Sequence, residues 1–394
     1  MRNAAIPAVM PNYNRLPVAF DRGRGCELWD AAGRRWLDLT AGIAVVGLGH
    51  CHPHLTAALT DQAEQLWHTS NLYRISELER LSERLVARTF AETVLLTNSG
   101  AEALEGCIKL ARRHFHVRGL PQRNRIVTFE GAFHGRTMAT ISAAGGAKMV
   151  DGFAPLLEGF DRVPWGDHEA LHQAVGPNTA AILIEPIQGE GGIREVPIPC
   201  LKGLRDLCDR EGILLMFDEV QCGVGRTGTL FVHEQAGISP DVMAVAKGIG
   251  NGFPVGAVLA TAHAAQGLTP GTHGSTYAGN PLAARVCNAV LDVMLAPEFL
   301  PRVQAAGERL EAGLRDLTAR HPGVFAEVRG RGLMLGLKLQ GDALAFNQAL
   351  FEAGLLLVPA AENVLRLLPP LVISDAEIDE ALTILDATAR KTTP

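Results

Sequence analysis

The chain has 394 residues, 36 Lys+Arg against 42 Asp+Glu for a formal charge of −6, 47% hydrophobic and 20% charged residues. This length suggests two to three structural units or one large α/β domain, and the composition excludes a disordered chain while the acidic balance argues against a nucleic-acid partner. Seven cysteines without a CxxC exclude a dense disulfide framework and point to a cytoplasmic setting, no run of 18 uncharged apolar residues predicts a membrane span, and the opening MRNAAIPAVMPNYNR lacks the apolar core of a signal peptide.

In chain order, Cys26–Asp30 and Arg35–Leu39 read as two strands around a turn at Gly33. Helices are predicted over Pro53–Trp67 and Ser76–Phe90, the latter from the spacing of Leu78, Leu81, Leu85 and Val86. Short apolar runs then recur: Thr93–Thr97, Arg125–Phe129, Ala180–Ile184, Ile213–Phe217, Asp241–Ala246 and Val255–Leu259, with a helix over Ala101–Val117 after the first. Buried runs of this length separated by helices predict a mostly parallel sheet covered on both faces. After helices from Pro281 to about Leu295 and over Arg302–Arg320, strands at Val324–Arg329, Leu333–Leu339 and Val364–Leu367 mix with helices at Ala343–Ala353 and Asp375–Ala389. That pattern is a small α+β unit. The expected division is 1–50 as a segment contributing to the small domain, 51–285 as the large domain, and 286–394 as the small domain.

Three motifs carry misleading chemistry. His168-Glu169-Ala170-Leu171-His172 matches HExxH, but the helix is short, no third ligand follows and Asp167 reads as its N-cap. His50, Cys51, His52 and His54 cluster without a second pair of ligands. Gly223–Gly228 spells GxGxxG, but Asp218–Gln221 separates it from its strand and no Rossmann helix follows. No metal site is expected.

Polar residues gather instead after the strands: Asn98-Ser99-Gly100, Phe133–Arg136, Glu185–Glu190, Asp218 with Gln221, and Lys247. In an open α/β sheet that edge binds ligands. A partly buried lysine amine there can lose its proton and attack a carbonyl. Asp218, directly after an apolar run, needs a partner that a protonated ring nitrogen supplies. The amides of Ser99, Gly100 and Ala101 open a helix and suit a phosphate. These features fit pyridoxal phosphate, while spacing alone leaves open a phosphoryl-ligand binding module or a zinc hydrolase.

The sequence also resembles the class III, ornithine-type aminotransferases of fold type I. The resemblance runs from about Pro11 to Ile384 through AGIAVVGLGHCHP (41–53), LWHTSN (66–71), NSGAEA (98–103), FHGRT (133–137), EPIQGEGG (185–192), DEVQCGVGRTG (218–228), AKG (246–248), HGSTYAGNP (273–281) and LRLLPPLVI (365–373). It implies an α/β fold: a large domain with a mostly parallel seven-stranded sheet, and a smaller α+β domain built from both chain ends. It implies pyridoxal 5′-phosphate bound covalently by Lys247, with Asp218 on the ring nitrogen, Gln221 near the ring hydroxyl, Phe133 stacked on the ring, and Ser99, Gly100 and Ala101 on the phosphate. Thr276 would reach the phosphate from a partner subunit of a homodimer whose active sites lie at the interface. Arg366 would take the α-carboxylate of 2-oxoglutarate or glutamate, Glu190 would pair with it otherwise, and Arg136 would take a second carboxylate, with Ser275 also at the substrate. The implied reaction transfers the δ-amino group of N2-acetylornithine to 2-oxoglutarate. Ornithine, succinylornithine, N-succinyl-diaminopimelate and 4-aminobutyrate are alternative donors. The chain departs from the common family pattern at Ala101, Leu104 and Ala278.

Overall fold

A computed structural model describes residues 8–392. Residues 1–7 and 393–394, the outermost parts of the two expected terminal segments and of the opening sequence read for a leader, lie outside the described residues.

Seven strands form the central sheet in the spatial order Thr93–Thr97, Gly256–Ala260, Val242–Val245, Leu214–Asp218, Thr179–Ile184, Arg125–Phe129, Phe160–Val163. Only Gly256–Ala260 runs antiparallel to its neighbours. Side chains alternate between two cores, as the pleat requires. Leu214, Met216, Val242 and Ala244 pack with the helix Gly100–Val117 on one face. Leu215, Phe217, Met243 and Val245 face the side covered by the helix Ile198–Glu211. Burial on both faces explains why these strands read as unbroken apolar runs. The seventh strand, Phe160–Val163, escaped that pattern because Asp161 and Arg162 interrupt it. It lies at the sheet edge, where the Asp161 carboxylate accepts from Arg125 Nε at 2.7 Å.

Two smaller sheets join the chain ends. Phe20–Arg24, Glu27–Asp30 and Arg35–Asp38 form one sheet with the distant Leu355–Leu356, which pairs parallel to Arg35–Asp38. Leu37 N–H donates to Gly354 O at 2.8 Å, and Leu368 N–H to Leu39 O at 2.8 Å. Phe325–Arg331, Met334–Leu339, Val364–Leu367 and Val358–Ala360 form the other. The strands Phe20–Arg24 and Val358–Ala360 were not foreseen. The first carries two exposed arginines and an exposed Asp21, so no apolar alternation marks it. Two predicted helices end earlier than their apolar spacing suggested, at Ala63 and Val86.

The three misleading motifs resolve differently. His168 and His172 are exposed on the short helix His168–Ala174, capped by Asp167. His50 pairs with Asp38 at 2.8 Å and His54 with Asp292 at 3.0 Å, so the cluster's imidazoles point apart. Among the described residues no three His, Cys, Asp or Glu side chains gather as metal ligands. The Gly223–Gly228 loop serves as a strut, in which buried Arg226 donates to Leu333 O at 3.1 Å and to Pro369 O.

Glu219, buried beside this loop, accepts N–H bonds from Val232 (2.7 Å) and His233 (3.2 Å). Burial raises its carboxyl from 4.5 to about 8. A raised acid contributes stability that is present below its unfolded value and is lost as pH rises through the folded value. Wild-type Tm should therefore fall between pH 5 and pH 8 in part through Glu219. Glu219→Gln keeps the shorter bond and flattens that slope, which calorimetry at several pH values checks; parallel slopes refute the assignment.

Candidate active site

The cavity that matters, of about 450 Å³, lies at the carboxyl edge of the central sheet and is lined by Ser99, Gly100, Ala101, Phe133, Arg136, Asp218, Gln221 and Lys247 among others. Each stands at or just beyond the carboxyl end of a parallel strand, so the sheet topology itself gathers residues spread over 149 positions (99 to 247). Ser99 is extended and caps the helix Gly100–Val117, its hydroxyl accepting from Glu102 N–H at 3.2 Å. The first-turn amides of Gly100 and Ala101 therefore face the cavity without intrahelical partners. Asn98 is held from behind by the Glu102 carboxylate, at 2.7 Å from its N–H. Gly135 sits at φ +127°, and a Cβ there would stand 2.7 Å from Ala101 Cβ. The small Ala101 thus lets the Phe133–Arg136 loop close onto the helix start.

Lys247 follows the buried strand Val242–Val245 at φ +48°, a left-handed conformation that side chains other than glycine rarely adopt. Its amine makes no hydrogen bond among the described residues and borders the cavity. Desolvation, reinforced by the nearby charge of Arg366, lowers its pKa, with Glu190 and Asp218 opposing. The result is an amine more readily neutral than an ordinary lysine, which is the nucleophilic form.

Asp218 ends its strand at 3% exposure. Val220 N–H donates to its Oδ1 at 3.0 Å, and its Oδ2 meets His134 Nδ1 at 2.8 Å. Burial pushes the His134 imidazole down, but the bond and charge of Asp218 outweigh it and leave it raised. His134 Nε2 is buried with no partner. Glu185 completes the group, accepting from Phe133 N–H at 2.8 Å. Burial, with the charge of Asp218 adding to it, holds Glu185 well above the usual carboxylate range. Neither His134 nor Glu185 was singled out from sequence as a site residue, although both stand inside the quoted motifs FHGRT and EPIQGEGG.

Arg366 is 1% exposed. Its Nη1 donates to Glu190 Oε1 at 2.6 Å and to Gln221 Oε1 at 3.2 Å, and its Nη2 to Pro359 O at 3.1 Å. Nε has no partner. Glu190 and Arg366 thus join the cavity group through Gln221. Arg136, by contrast, is exposed, makes no ion pair, and lies over the Phe133 ring with its guanidinium carbon 5.5 Å from the centroid. Ser275 accepts from Asn98 Nδ2 at 2.8 Å in its own chain. Thr276 is exposed and lies outside the cavity lining.

A phosphorylated aromatic aldehyde suits this donor set. Free amides at a helix start meet a phosphate, a buried carboxylate with raised His134 behind it favours a protonated ring nitrogen, and a buried amine without a partner meets the aldehyde. The class-III aminotransferase family profile matches residues 8–388. The chain is 58% identical to acetylornithine aminotransferase of Rhodobacter capsulatus over 387 residues, 98% of each chain. Among solved structures it resembles N-acetylornithine aminotransferase of Stenotrophomonas maltophilia, with TM-score 0.83 and 41% identity over 95% of this chain and 96% of that one. It also resembles ornithine aminotransferase of Toxoplasma gondii, with TM-score 0.93 and 33% identity over 98% and 93%. With a cavity chemistry that suits the cofactor and a match along nearly its whole length, the chain belongs to the class-III, pyridoxal-phosphate-dependent aminotransferases.

Proposed function

We propose that this aminotransferase moves the δ-amino group of N2-acetyl-L-ornithine to 2-oxoglutarate, giving N-acetylglutamate 5-semialdehyde and glutamate. The observation that carries the reading is the pairing of buried Arg366 with partly exposed Glu190, set against Arg136, which lies over the Phe133 ring and has no ion pair among the described residues. One site must hold two substrates in turn. The donor presents one carboxylate and a neutral acetamide; the acceptor presents two carboxylates. Arg136 can orient the donor's carboxylate bidentately. Glu190 meanwhile keeps Arg366 from being a buried unpaired cation. When 2-oxoglutarate enters, its α-carboxylate displaces Glu190 from Arg366 and its distal carboxylate meets Arg136. Of the relatives named above, those of Rhodobacter capsulatus and Stenotrophomonas maltophilia are acetylornithine aminotransferases and support the same donor, at higher identity than the Toxoplasma gondii ornithine aminotransferase.

Bound pyridoxal phosphate supplies the aldehyde that exchanges for the amine and the ring that takes up the electron pair. The chain does the rest. The amides of Ser99, Gly100 and Ala101 would hold the phosphate, Phe133 would cover the ring, Gln221 would serve the ring hydroxyl and Asp218 would pair with the ring nitrogen. Lys247 Nζ would take the proton from the carbon bearing the transferred amine and deliver it to the former aldehyde carbon of the cofactor.

The reading includes a homodimer. Trp67, Leu72, Tyr73 and Tyr277 leave 65%, 86%, 68% and 64% of their surfaces exposed, and Tyr277 adjoins Ser275 and Thr276 beside the cavity mouth. A second copy covering these side chains would bury them and bring its Thr276 to the phosphate. Seven unpaired thiols favour the cytoplasm as its site of action.

A panel of ω-amino donors against 2-oxoglutarate, ranked by kcat/KM, tests the substrate. Acetylornithine should lead by about tenfold or more, within what a site built for a polar acyl group can discriminate. A tenfold lead for free ornithine or 4-aminobutyrate overturns the assignment.

A further inference from the structure

Behind the Arg366–Glu190 pair lies a second ionic group that the reaction as described does not use. The turn following the strand Val358–Ala360 places Glu362 at φ +58° and Asn363 at φ +62°, two consecutive left-handed residues that are not glycine. Such a turn persists only where its surroundings hold it. Here the Glu362 carboxylate is clamped between Arg194, whose Nε donates at 3.0 Å, and Arg329, whose Nη1 donates at 2.5 Å. Asn363 is fixed in turn, its Nδ2 donating to Leu339 O at 2.8 Å and its Oδ1 accepting from Ala343 N–H at 3.0 Å.

The turn and the strand leading into it touch both members of the Arg366–Glu190 pair. The strand supplies Pro359 O, which receives Arg366 Nη2 at 3.1 Å. The turn supplies Ala361 N–H, which donates to Glu190 O at 3.0 Å. Gly192, at φ +100°, lets the loop carrying Glu190 lie against it, since a Cβ there would stand 2.9 Å from Ala361 O. Arg329 also donates to Gly192 O at 3.2 Å, so one guanidinium bonds both the turn and the loop. The hydrogen bond to Arg329 lowers the Glu362 pKa; burial opposes it, and the bond to Arg194 adds to the lowering, so the clamp stays charged at neutral pH.

We propose that Glu362 is a positioning residue for the Arg366 carboxylate site: clamped by Arg194 and Arg329, it holds the turn that seats Glu190 through Ala361 N–H and anchors the end of the strand whose Pro359 O orients Arg366. The inference rests on the reading of Arg366 as the ligand of the 2-oxoglutarate α-carboxylate. It makes the acceptor half of the reaction depend on a carboxylate that never meets substrate. The donor, which leaves Arg366 paired with Glu190, depends on it far less.

The test uses the holoenzyme and the variants Glu362→Ala, Glu362→Gln and Arg366→Ala. Three quantities are read: KM for 2-oxoglutarate and for the amino donor, kcat, and the calorimetric Kd of glutarate, a dicarboxylate that cannot react. Glu362→Ala should raise both the 2-oxoglutarate KM and the glutarate Kd by about tenfold, with donor KM and kcat within about twofold, as expected for loss of a binding orientation and not of chemistry. Glu362→Gln retains an acceptor for one arginine and should fall between. If Arg366→Ala raises both quantities and Glu362→Ala leaves them unchanged, or moves donor and acceptor KM equally with a drop in Tm, Glu362 is structural only and the proposal is overturned. If Arg366→Ala itself leaves glutarate binding intact, the carboxylate assignment fails first, and the Glu362 proposal falls with it.

Discussion

Lys247→Ala is expected to remove covalent cofactor attachment and to lower turnover by on the order of 10⁴-fold or more, the scale of losing both a nucleophile and a positioned acid–base group. The fold should survive. The Lys247 amine makes no hydrogen bond among the described residues, and the charges acting on it include the repulsion of Arg366. Removing it therefore strands no buried partner, and relief of that repulsion offsets lost packing. The φ of +48° suits Ala no worse than Lys. The phosphate amides, Phe133 and Asp218 remain, so the cofactor should still bind without a covalent link. Borohydride reduction followed by peptide mapping checks this directly. Wild type should carry the cofactor on residue 247 and the variant on none. A labelled variant, or turnover within a hundredfold of wild type, would remove the central assignment.

How much of this was legible in the sequence depends on where each signal lies. The buried strands announced themselves because each is a local apolar run bounded by polar loops, as at Leu214–Asp218. The edge strand Phe160–Val163 did not, because one flank faces no neighbour and tolerates Asp161 and Arg162. The residues of the cavity were legible as a set, since the rule that ligands bind at strand carboxyl ends needs only the strands. Their pairings were not. His134 and Asp218 lie 84 positions apart, and Glu185 and Phe133 lie 52 apart, yet the first contact closes over the end of the intervening strand Thr179–Ile184 and the second between neighbouring loops of the sheet. No periodicity encodes such contacts. Glu190 and Arg366, 176 positions apart, came only through the family resemblance. The Glu362 clamp left no mark at all, because Arg194, Arg329 and Glu362 look like ordinary surface charges until the chain folds. Ser275 was expected at the substrate, whereas its observed bond is to Asn98, at the edge of the phosphate loop.

Asp218→Asn should lower kcat/KM by on the order of 10³-fold, the scale of losing one preorganised charge from a water-excluded site. Shape is almost unchanged and Val220 N–H keeps an acceptor, so the loss would reflect charge. With no anion beside it, a ring nitrogen in this cavity has no reason to keep its proton, and the ring's capacity to take electrons falls. A second readout separates this effect from simple misfolding. In wild type, Asp218 raises the pKa of His134 despite burial. A raised histidine contributes stability that is fully present below its unfolded value, about 6.5, and is lost as pH rises through its folded value. The variant lacks that contribution, and burial alone would then drive His134 neutral. The Tm gap between wild type and Asp218→Asn should therefore be widest below about pH 6.5 and narrow at alkaline pH, where His134 is neutral in both and wild type retains a buried carboxylate without a cationic partner. Breaking a buried pair by deleting one partner costs about 3–5 kcal/mol when the other must stay charged. His134 can shed its proton, so the cost at neutral pH should lie below that range. A gap independent of pH would mean that the two side chains share a hydrogen bond but no charge, and that Asp218 is held for the cofactor by its backbone alone.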